Sequence, residues 1–501
     1  MACKNPTDII QPMDRFLSAG SAAKNSPWWG KRMLLAIIAA GIVFRIIQWG
    51  WGQPFWTDEA SLLLNIATKT ARQLMGPLDF KQACPPVHLL LLRWCYVTFG
   101  DSEYSLRIVP LVLSVITLPL FAALAWRLCP PVEAVLITAI FAFSDNILWH
   151  ATEAKQYTTD LFSAVLLLWI SVAARRPRSA TGRLTIAAVV AALLIWTSHA
   201  AAFVFGAISL AMAPAVFRQP RGAIRWLLPN IFFGISMVIL YRLSLQMQRT
   251  AWMTNTWRDQ FVPWREPFSI PVWFIRGTIG LFDYPVQGFG AGILILSLAG
   301  AFELFRQRRL QMLAMMVLPM VLLLIASGLW LFPFSGNRVT FFTAPMILLT
   351  AGYGASLIFS HCKSKARYIG RGLLCVVVIE TFGFALFHAW KPDPRTHILP
   401  AVAYLKTNYQ KDEGIYVIGK GTGSMFMWYW RKEPGNSVIY KPEFGDNVPL
   451  PWQRFWVVGI FQPKHGIGEM QKDIDYASHG AVEIKRYQGN GSAAILFEKP
   501  R

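Results

Sequence analysis

Acidic residues are scarce in this chain: 27 Asp and Glu stand against 48 Lys and Arg, a formal net charge of +21 over 501 residues. Charged residues of either sign make up only 15% of it, too few for the surface of a soluble globular domain. The six cysteines (Cys3, Cys84, Cys95, Cys129, Cys362 and Cys375) are scattered with no C-x-x-C, so neither a disulfide framework nor a zinc site is indicated. Internal repeats and low-complexity segments do not stand out. A cleavable signal peptide is not expected, because about thirty polar residues precede the first apolar run. The basic excess lies in short loops rather than on an interleaved polar surface, which argues against nucleic acid as a partner.

What is abundant is apolar sequence, 54% of the chain. Runs of about 18 residues or more recur, each long enough to cross a ~30 Å hydrocarbon layer as a helix. Spans are expected near 33–50, 106–128, 132–149, 157–174, 184–199, 201–217, 226–244, 288–305, 310–332, 339–360 and 373–390, about eleven in all. Loops 175–183, 218–225, 306–309 and 361–371 are rich in Lys and Arg and contain no acid. The positive-inside rule places them in the cytoplasm with the N-terminal segment 1–32. The opposite face then receives 51–105, 150–156, 245–285, 333–338 and the tail. After Lys391-Pro-Asp-Pro-Arg395 the composition turns soluble, with strand-like runs at Ile415–Gly419, Phe455–Phe461 and Ala493–Phe497 and helical pieces at 397–408 and 465–477. Gly419-Lys-Gly-Thr-Gly423 matches neither dinucleotide nor Walker spacing and reads as a glycine-rich turn. The expected architecture is an all-α polytopic membrane bundle (33–391) with a large first outer loop, 51–105, and a small extracytoplasmic α/β C-terminal domain, 392–501.

The polar residues of the outer face fall into three clusters. Trp51-Gly-Gln-Pro-Phe-Trp-Thr-Asp58-Glu59-Ala60 sets two acids among aromatic rings where the chain leaves the bilayer. Adjacent helical residues point about 100° apart, so one acid can face a reacting group while the other caps; Asp58 is favoured as the chemical one. In His150-Ala-Thr-Glu153-Ala-Lys155-Gln-Tyr157-Thr-Thr-Asp160, a helix starting near Glu153 would put Glu153, Tyr157 and Asp160 on one face and Lys155 elsewhere. Asp160 would lie about a turn inside the hydrocarbon and should face the bundle interior. Pro333-Phe-Ser-Gly-Asn337-Arg338 is a tight turn whose Arg338 either anchors to headgroups or forks onto a phosphate. Lys81 is a further cation on this side, and Arg45 within the first span faces the protein or snorkels. His88 and His199 read as satisfied core histidines rather than metal ligands. Carboxylates and cations at one interface suit displacement of a lipid phosphate from a sugar: a base takes the acceptor's proton and fixed positive charge stabilises the leaving anion.

Trp-Thr-Asp58-Glu59-Ala, Pro85-Pro86, Phe99-Gly100-Asp-Ser-Glu-Tyr-Ser-Leu-Arg107 and Glu153-Ala-Lys155-Gln-Tyr157, over roughly residues 35–175, together resemble the GT-C membrane glycosyltransferases of the family-39 type. That type includes protein O-mannosyltransferase-like and aminoarabinose-transferase-like proteins. A weaker echo occurs at Gly336-Asn-Arg338 and Ala344-Pro345. The resemblance implies a hexosyl or pentosyl transferase with a polyprenyl-phosphate-sugar donor and a protein, lipid or glycan acceptor. Transfer would take place on the outer side of the cytoplasmic membrane, among membrane lipids. It implies Asp58 as base or acceptor-positioning group and a second acid at Glu153 or Asp160, with Glu59 beside them. Lys155, Tyr157, Arg338 and Lys81 would meet the lipid phosphate. No cofactor follows, and a divalent metal at the acids stays open. The chain departs from the family where His88 replaces an aromatic, Lys155 an arginine and Val339 a tyrosine. A transporter or flippase for lipid-linked glycans is the alternative, though paired halves with broken mid-bilayer helices are not evident.

Overall fold

The computed structural model describes residues 28–172, 180–357, 366–392, 394–419, 421–433, 438–440 and 450–500. Most of the N-terminal segment, 1–32, and parts of the basic loops 175–183 and 361–371 lie outside the described residues, as do Cys3, Cys362 and Lys420 of the glycine-rich turn. The principal helices of the bundle and its outer loops are α1 (Trp28–Gly50), α2 (Thr57–Thr68), α3 (Pro86–Phe99), α4 (Ile108–Leu128), α5 (Pro131–Phe143), α6 (Asp145–Ala151), α7 (Tyr157–Val172), α8 (Ala180–Leu194), α9 (Ala201–Phe217), α10 (Gly222–Leu240), α11 (Ile270–Asp283), α12 (Gly290–Arg306), α13 (Leu310–Gly328), α14 (Ala344–Leu357) and α15 (Ala366–Trp390).

Every expected span coincides with a helix, but not every one is a span by itself. Among the described residues six helices are long and apolar enough to cross a membrane, or up to seven if α5 and α6, bent by 52°, act together. Helices α7, α8 and α9 have 16, 15 and 17 described residues. At about 1.5 Å per residue each falls a few ångströms short of a ~30 Å core. Their apolar composition reflects burial in the bundle as much as contact with lipid.

Inside the bundle, close helix approach is set by missing side chains. Gly300 of α12 and Gly354 of α14 face each other so tightly that a Cβ on Gly354 would stand 1.9 Å from the Leu296 carbonyl oxygen. Small residues at such crossings supply the packing that lipid-soluble helices need. Arg45, in the C-terminal part of α1, is fully buried. Its guanidinium donates to Ser114 Oγ at 2.7 Å, the Gly41 carbonyl at 2.8 Å and the Ala142 carbonyl at 2.9 Å, so it faces the protein.

Beyond α15 the chain forms α16 (Ile398–Asn408), α17 (Thr422–Trp430), α18 (Gln471–Ala477) and strands β1 (Gly414–Ile418), β2 (Val438–Tyr440), β3 (Arg454–Ile460), β4 (Val482–Gln488) and β5 (Ser492–Glu498). The sheet order is β2-β1-β3-β5-β4, with β2, β1 and β3 parallel and β5 and β4 antiparallel. The period-2 alternation of strands divides its residues cleanly. Ile415, Val417, Trp456, Val458, Ala494 and Leu496 face one core; Tyr416, Ile418, Phe455, Val457, Ile495 and Phe497 face another, closed by Ile474 of α18. The first core is shared with the first outer loop, whose Phe55, Leu62, Leu63 and Ile66 pack with Val402, Phe426 and Trp428 of the tail. The tail and the outer loop are thus joined by one hydrophobic interior.

A buried ion cluster pins that junction. Glu59, fully buried, takes Arg107 bidentately, with Nε–Oε1 at 2.9 Å and Nη2–Oε2 at 2.6 Å. Its Oε1 also accepts the Ala154 amide at 2.8 Å, and Arg395 Nη1, from the segment leading into the tail, lies 3.5 Å from Oε2. Burial raises the Glu59 carboxyl, but Arg107 and Arg395 outweigh it and hold the group below the usual glutamate range.

Two stability outcomes follow. In purified protein, Gly354→Ala lowers the thermal midpoint, whereas Gly234→Ala on α10, with nothing within 4 Å of its Cβ position, does not. Glu59→Gln leaves Arg107 and Arg395 uncompensated, a loss of about 3–5 kcal/mol for a broken buried pair. Because the folded-state pKa is depressed, Glu59's contribution is complete above the unfolded value and disappears as pH falls through the folded one. Wild type and Glu59→Gln should therefore converge in thermal midpoint only in strong acid.

Candidate active site

Helix α2 begins without a side-chain cap. Trp56 is extended at φ −86°, ψ 172°, and Asp58 and Glu59 fall in the first turn, where the helix dipole favours negative charge. The 100° between them sends Glu59 toward Arg107 and Asp58 toward Lys155 and Arg338. Asp58 is 15% exposed.

Three groups converge on the Asp58 carboxylate. Lys155 Nζ lies 3.0 Å from Oδ1, Arg338 Nη2 3.2 Å from Oδ2, and the Tyr157 hydroxyl donates to Oδ2 at 3.3 Å. Burial pushes the carboxyl up, but Lys155, Arg338 and the hydrogen bonds from Lys155 and Tyr157 hold it below the usual aspartate range. Lys155, 3% exposed, also donates to Gln82 Oε1 at 2.6 Å. Arg338 is 30% exposed and stands over the rings of Trp56, Tyr157 and Trp257 at 5.1, 5.9 and 5.8 Å, a cation–π setting on three sides. Its Nε has no hydrogen-bond partner. The preceding residue fixes it: Asn337 caps the turn by accepting from the Val339 amide at 2.8 Å and donates to Gln260.

Glu153 lies alongside. Its Oε1 accepts the Trp56 indole N–H at 3.0 Å and its Oε2 is 2.5 Å from His150 Nδ1; His150 Nε2 is 2.8 Å from the Tyr284 hydroxyl. The second outer segment differs from its expected form. Helix α7 starts at Tyr157 rather than Glu153, and residues 151–156 form tight turns closed by Lys155 N to Glu153 O at 2.7 Å and Thr158 Oγ1 to His150 O at 2.6 Å. Glu153 therefore does not share a helical face with Tyr157 and Asp160, and Lys155, expected to point away, points at Asp58. Asp160 is buried one turn further along α7, and no hydrogen bond joins it to Asp58 or Glu153. Lys81 is exposed beside Gln82 with left-handed backbone, φ 55°. Among the described residues no group of three or more His, Cys, Asp or Glu is placed to hold a metal ion.

Several contributors escape a reading of the sequence. His150 and Tyr284 carry no motif, Gln82 and Gln260 lie in loops without periodicity, and Arg395 reads only as part of a helix-breaking Pro-Asp-Pro-Arg. The one available signal was composition: each lies in a segment assigned to the outer face. Segments 51–105, 150–156, 245–285, 333–338 and the tail are linked by side-chain contacts. Elsewhere Thr181 bonds Gln219 at 2.7 Å and Tyr353 bonds Gln307 at 2.6 Å.

No protein-family model and no curated protein matches the chain by sequence. Solved structures do match it in fold. ArnT from Cupriavidus metallidurans bound to undecaprenyl phosphate superposes with a TM-score of 0.54 at 11% identity, over 92% of this chain and 97% of that one. The archaeal oligosaccharyltransferase AglB from Archaeoglobus fulgidus, in complex with an inhibitory peptide and a dolichol-phosphate, gives 0.52 at 12% identity, over 94% of this chain and 74% of that one. The chain has the GT-C fold of membrane glycosyltransferases.

Proposed function

We propose that the protein transfers a sugar from a polyprenyl-phosphate-linked donor to an acceptor hydroxyl on the outer face of the cytoplasmic membrane, with Asp58 as general base. The observation that carries this reading is one carboxylate held between Lys155 and Arg338 at the mouth of a GT-C bundle. The lipid phosphates in the ArnT and AglB structures support a donor of the same chemistry. The donor phosphate approaches the partly exposed Arg338, whose planar fork suits phosphate oxygens. As Arg338 turns toward the phosphate, Asp58 loses part of the charge that depresses its basicity. The acceptor oxygen then attacks the anomeric carbon and Asp58 takes its proton. The carbon–oxygen bond to phosphate breaks, and its electron pair leaves with polyprenyl phosphate, stabilised by Arg338 and Lys155. A single in-line displacement inverts the anomeric centre. Glu153 positions Trp56 and, through it, the wall beneath Arg338. The acceptor is a protein, lipid or glycan hydroxyl.

Purified protein given polyprenyl-phosphate sugars and acceptors tests this directly. Asp58→Asn should lower transfer by about 10²–10⁴-fold, the range for a positioned base, with folding and lipid-phosphate binding retained; unchanged transfer assigns the base elsewhere. Because the Asp58 pKa is depressed, the acidic limb of kcat/KM should lie below the ordinary carboxylate range. In Lys155→Gln one depressing charge is gone, so that limb should move to higher pH; an unmoved limb shows that another group titrates.

A further inference from the structure

Behind the Asp58 cluster lies a second set of polar side chains that the transfer step does not use. His88 is fully buried in the first turn of α3, Asp160 is 7% exposed in the first turn of α7, and Ser198 is fully buried in the turn between α8 and α9. These elements are in contact. The Val87 amide donates to the Trp196 carbonyl at 2.9 Å, His88 Nδ1 lies 3.1 Å from Thr159 Oγ1, and Ser198 stands beside Asp160. Asp160 lies one turn along α7 from Tyr157, whose hydroxyl donates to Asp58 at 3.3 Å, so the set adjoins that carboxylate.

His88 Nε2 has no hydrogen-bond partner, and Asp160 Oδ1 and Ser198 Oγ have none beyond each other. Buried polar atoms are ordinarily paired, and an ionisable side chain at membrane depth marks a functional position. The chemistry of the set is specific. A carboxylate oxygen accepts, an imidazole nitrogen donates or accepts according to its tautomer, and a hydroxyl does both. None of the three brings a fixed positive charge, and the nearby Lys155 Nζ is held by Asp58 and Gln82. An anion is therefore a poor fit. Adjacent hydroxyls on a ring, each donor and acceptor at once, are a good one.

We propose that His88, Asp160 and Ser198 form the subsite that receives the ring hydroxyls of the donor's sugar. The identity of that ligand rests on the transferase reading above. The test compares binding of undecaprenyl phosphate with binding of undecaprenyl-phosphate mannose, glucose and arabinose to the full-length protein in lipid nanodiscs. At least one sugar should tighten binding by about tenfold or more over the bare lipid phosphate, because a buried site built for hydroxyls penalises their absence. Asp160→Asn, which keeps the side chain's shape, and Ser198→Ala should each remove most of that increment while binding the bare lipid phosphate as wild type does. In wild type, a donor lacking the hydroxyl that Asp160 meets should lose the same increment, and Asp160→Asn should no longer distinguish it from the parent sugar. The proposal is overturned if no sugar adds affinity, or if the increment survives both substitutions. An increment that depends on Asp160 in a protein that transfers no sugar to any acceptor would instead sink the transferase reading and leave the subsite standing.

Discussion

Two consecutive acids on the first turn of one helix do different work because a helix cannot point neighbours the same way. Glu59 turns inward and binds the second outer segment through the Ala154 amide, the entrance to α4 through Arg107 and the segment leading to the tail through Arg395. Taking such an ion cluster out of water is costly and is offset only when the remaining lone pairs are also used. Here both Glu59 oxygens are bonded, and Arg107 spends its other donor on the Gln53 carbonyl. The result is a fixed point one residue from Asp58. The position of the Asp58 carboxylate then follows from a rigid neighbour, the kind of placement that a proposed catalytic group needs.

Asp58 itself is arranged against maximal basicity. Two cations and a phenol lower its pKa, which keeps it ionised but weakens its pull on a proton. At an effective dielectric near 20, unit charges ~4 Å apart interact by about 4 kcal/mol, so losing even part of one partner changes the group's basicity appreciably. Arg338 is the more exposed of the two cations; Asn337 fixes its backbone, while its guanidinium lies among aromatic faces, which hold a cation without fixing its direction. Lys155 is tied to Gln82 and nearly buried. On the proposed reading, a base that gains strength when phosphate draws one cation away would couple proton transfer to donor occupancy without a separate switch.

How far the sequence reveals this depends on the type of signal. Helices α1, α4 and α13 carry long uniform apolar runs and are legible at once. Strands β1, β3 and β5 are buried on both faces and stand out as short apolar runs; β4, Val-Glu-Ile-Lys-Arg-Tyr-Gln, is an exposed edge with charges and has no such run. Helix α17 was hidden because Thr422–Trp430 is short, uncapped by any side chain and rich in aromatics, a composition equally at home in a strand. At the site, Asp58, Lys155, Tyr157 and Arg338 belong to segments whose sidedness could be counted from basic loops. Their convergence could be anticipated as a location though not as a geometry. The register of residues 151–156 could not, since it is set by backbone turns that leave no periodic trace. Arg395 shows the remaining limit: its partner Glu59 is 336 residues away, and nothing local in either segment specifies the other.

That long-range pairing also bears on why the tail is present at all. Two of its contacts fall within three residues of Asp58. The Phe55 amide donates to the Tyr429 hydroxyl at 2.7 Å, Tyr429 in turn reaches Glu103 at 2.8 Å, and Thr57 Oγ1 donates to the Gly421 carbonyl at 3.1 Å. Gly421 has φ 79°, and a Cβ there would sit 2.7 Å from Thr57 Oγ1, so this turn of the glycine-rich segment is shaped to let α2 approach. A loop alone would expose Leu62, Leu63 and Ile66 to water; α17, seated on the sheet, covers them. The tail therefore completes the core under α2, and α2 carries Asp58. A domain that looks appended in the chain is, in its packing, half of the platform on which the site stands.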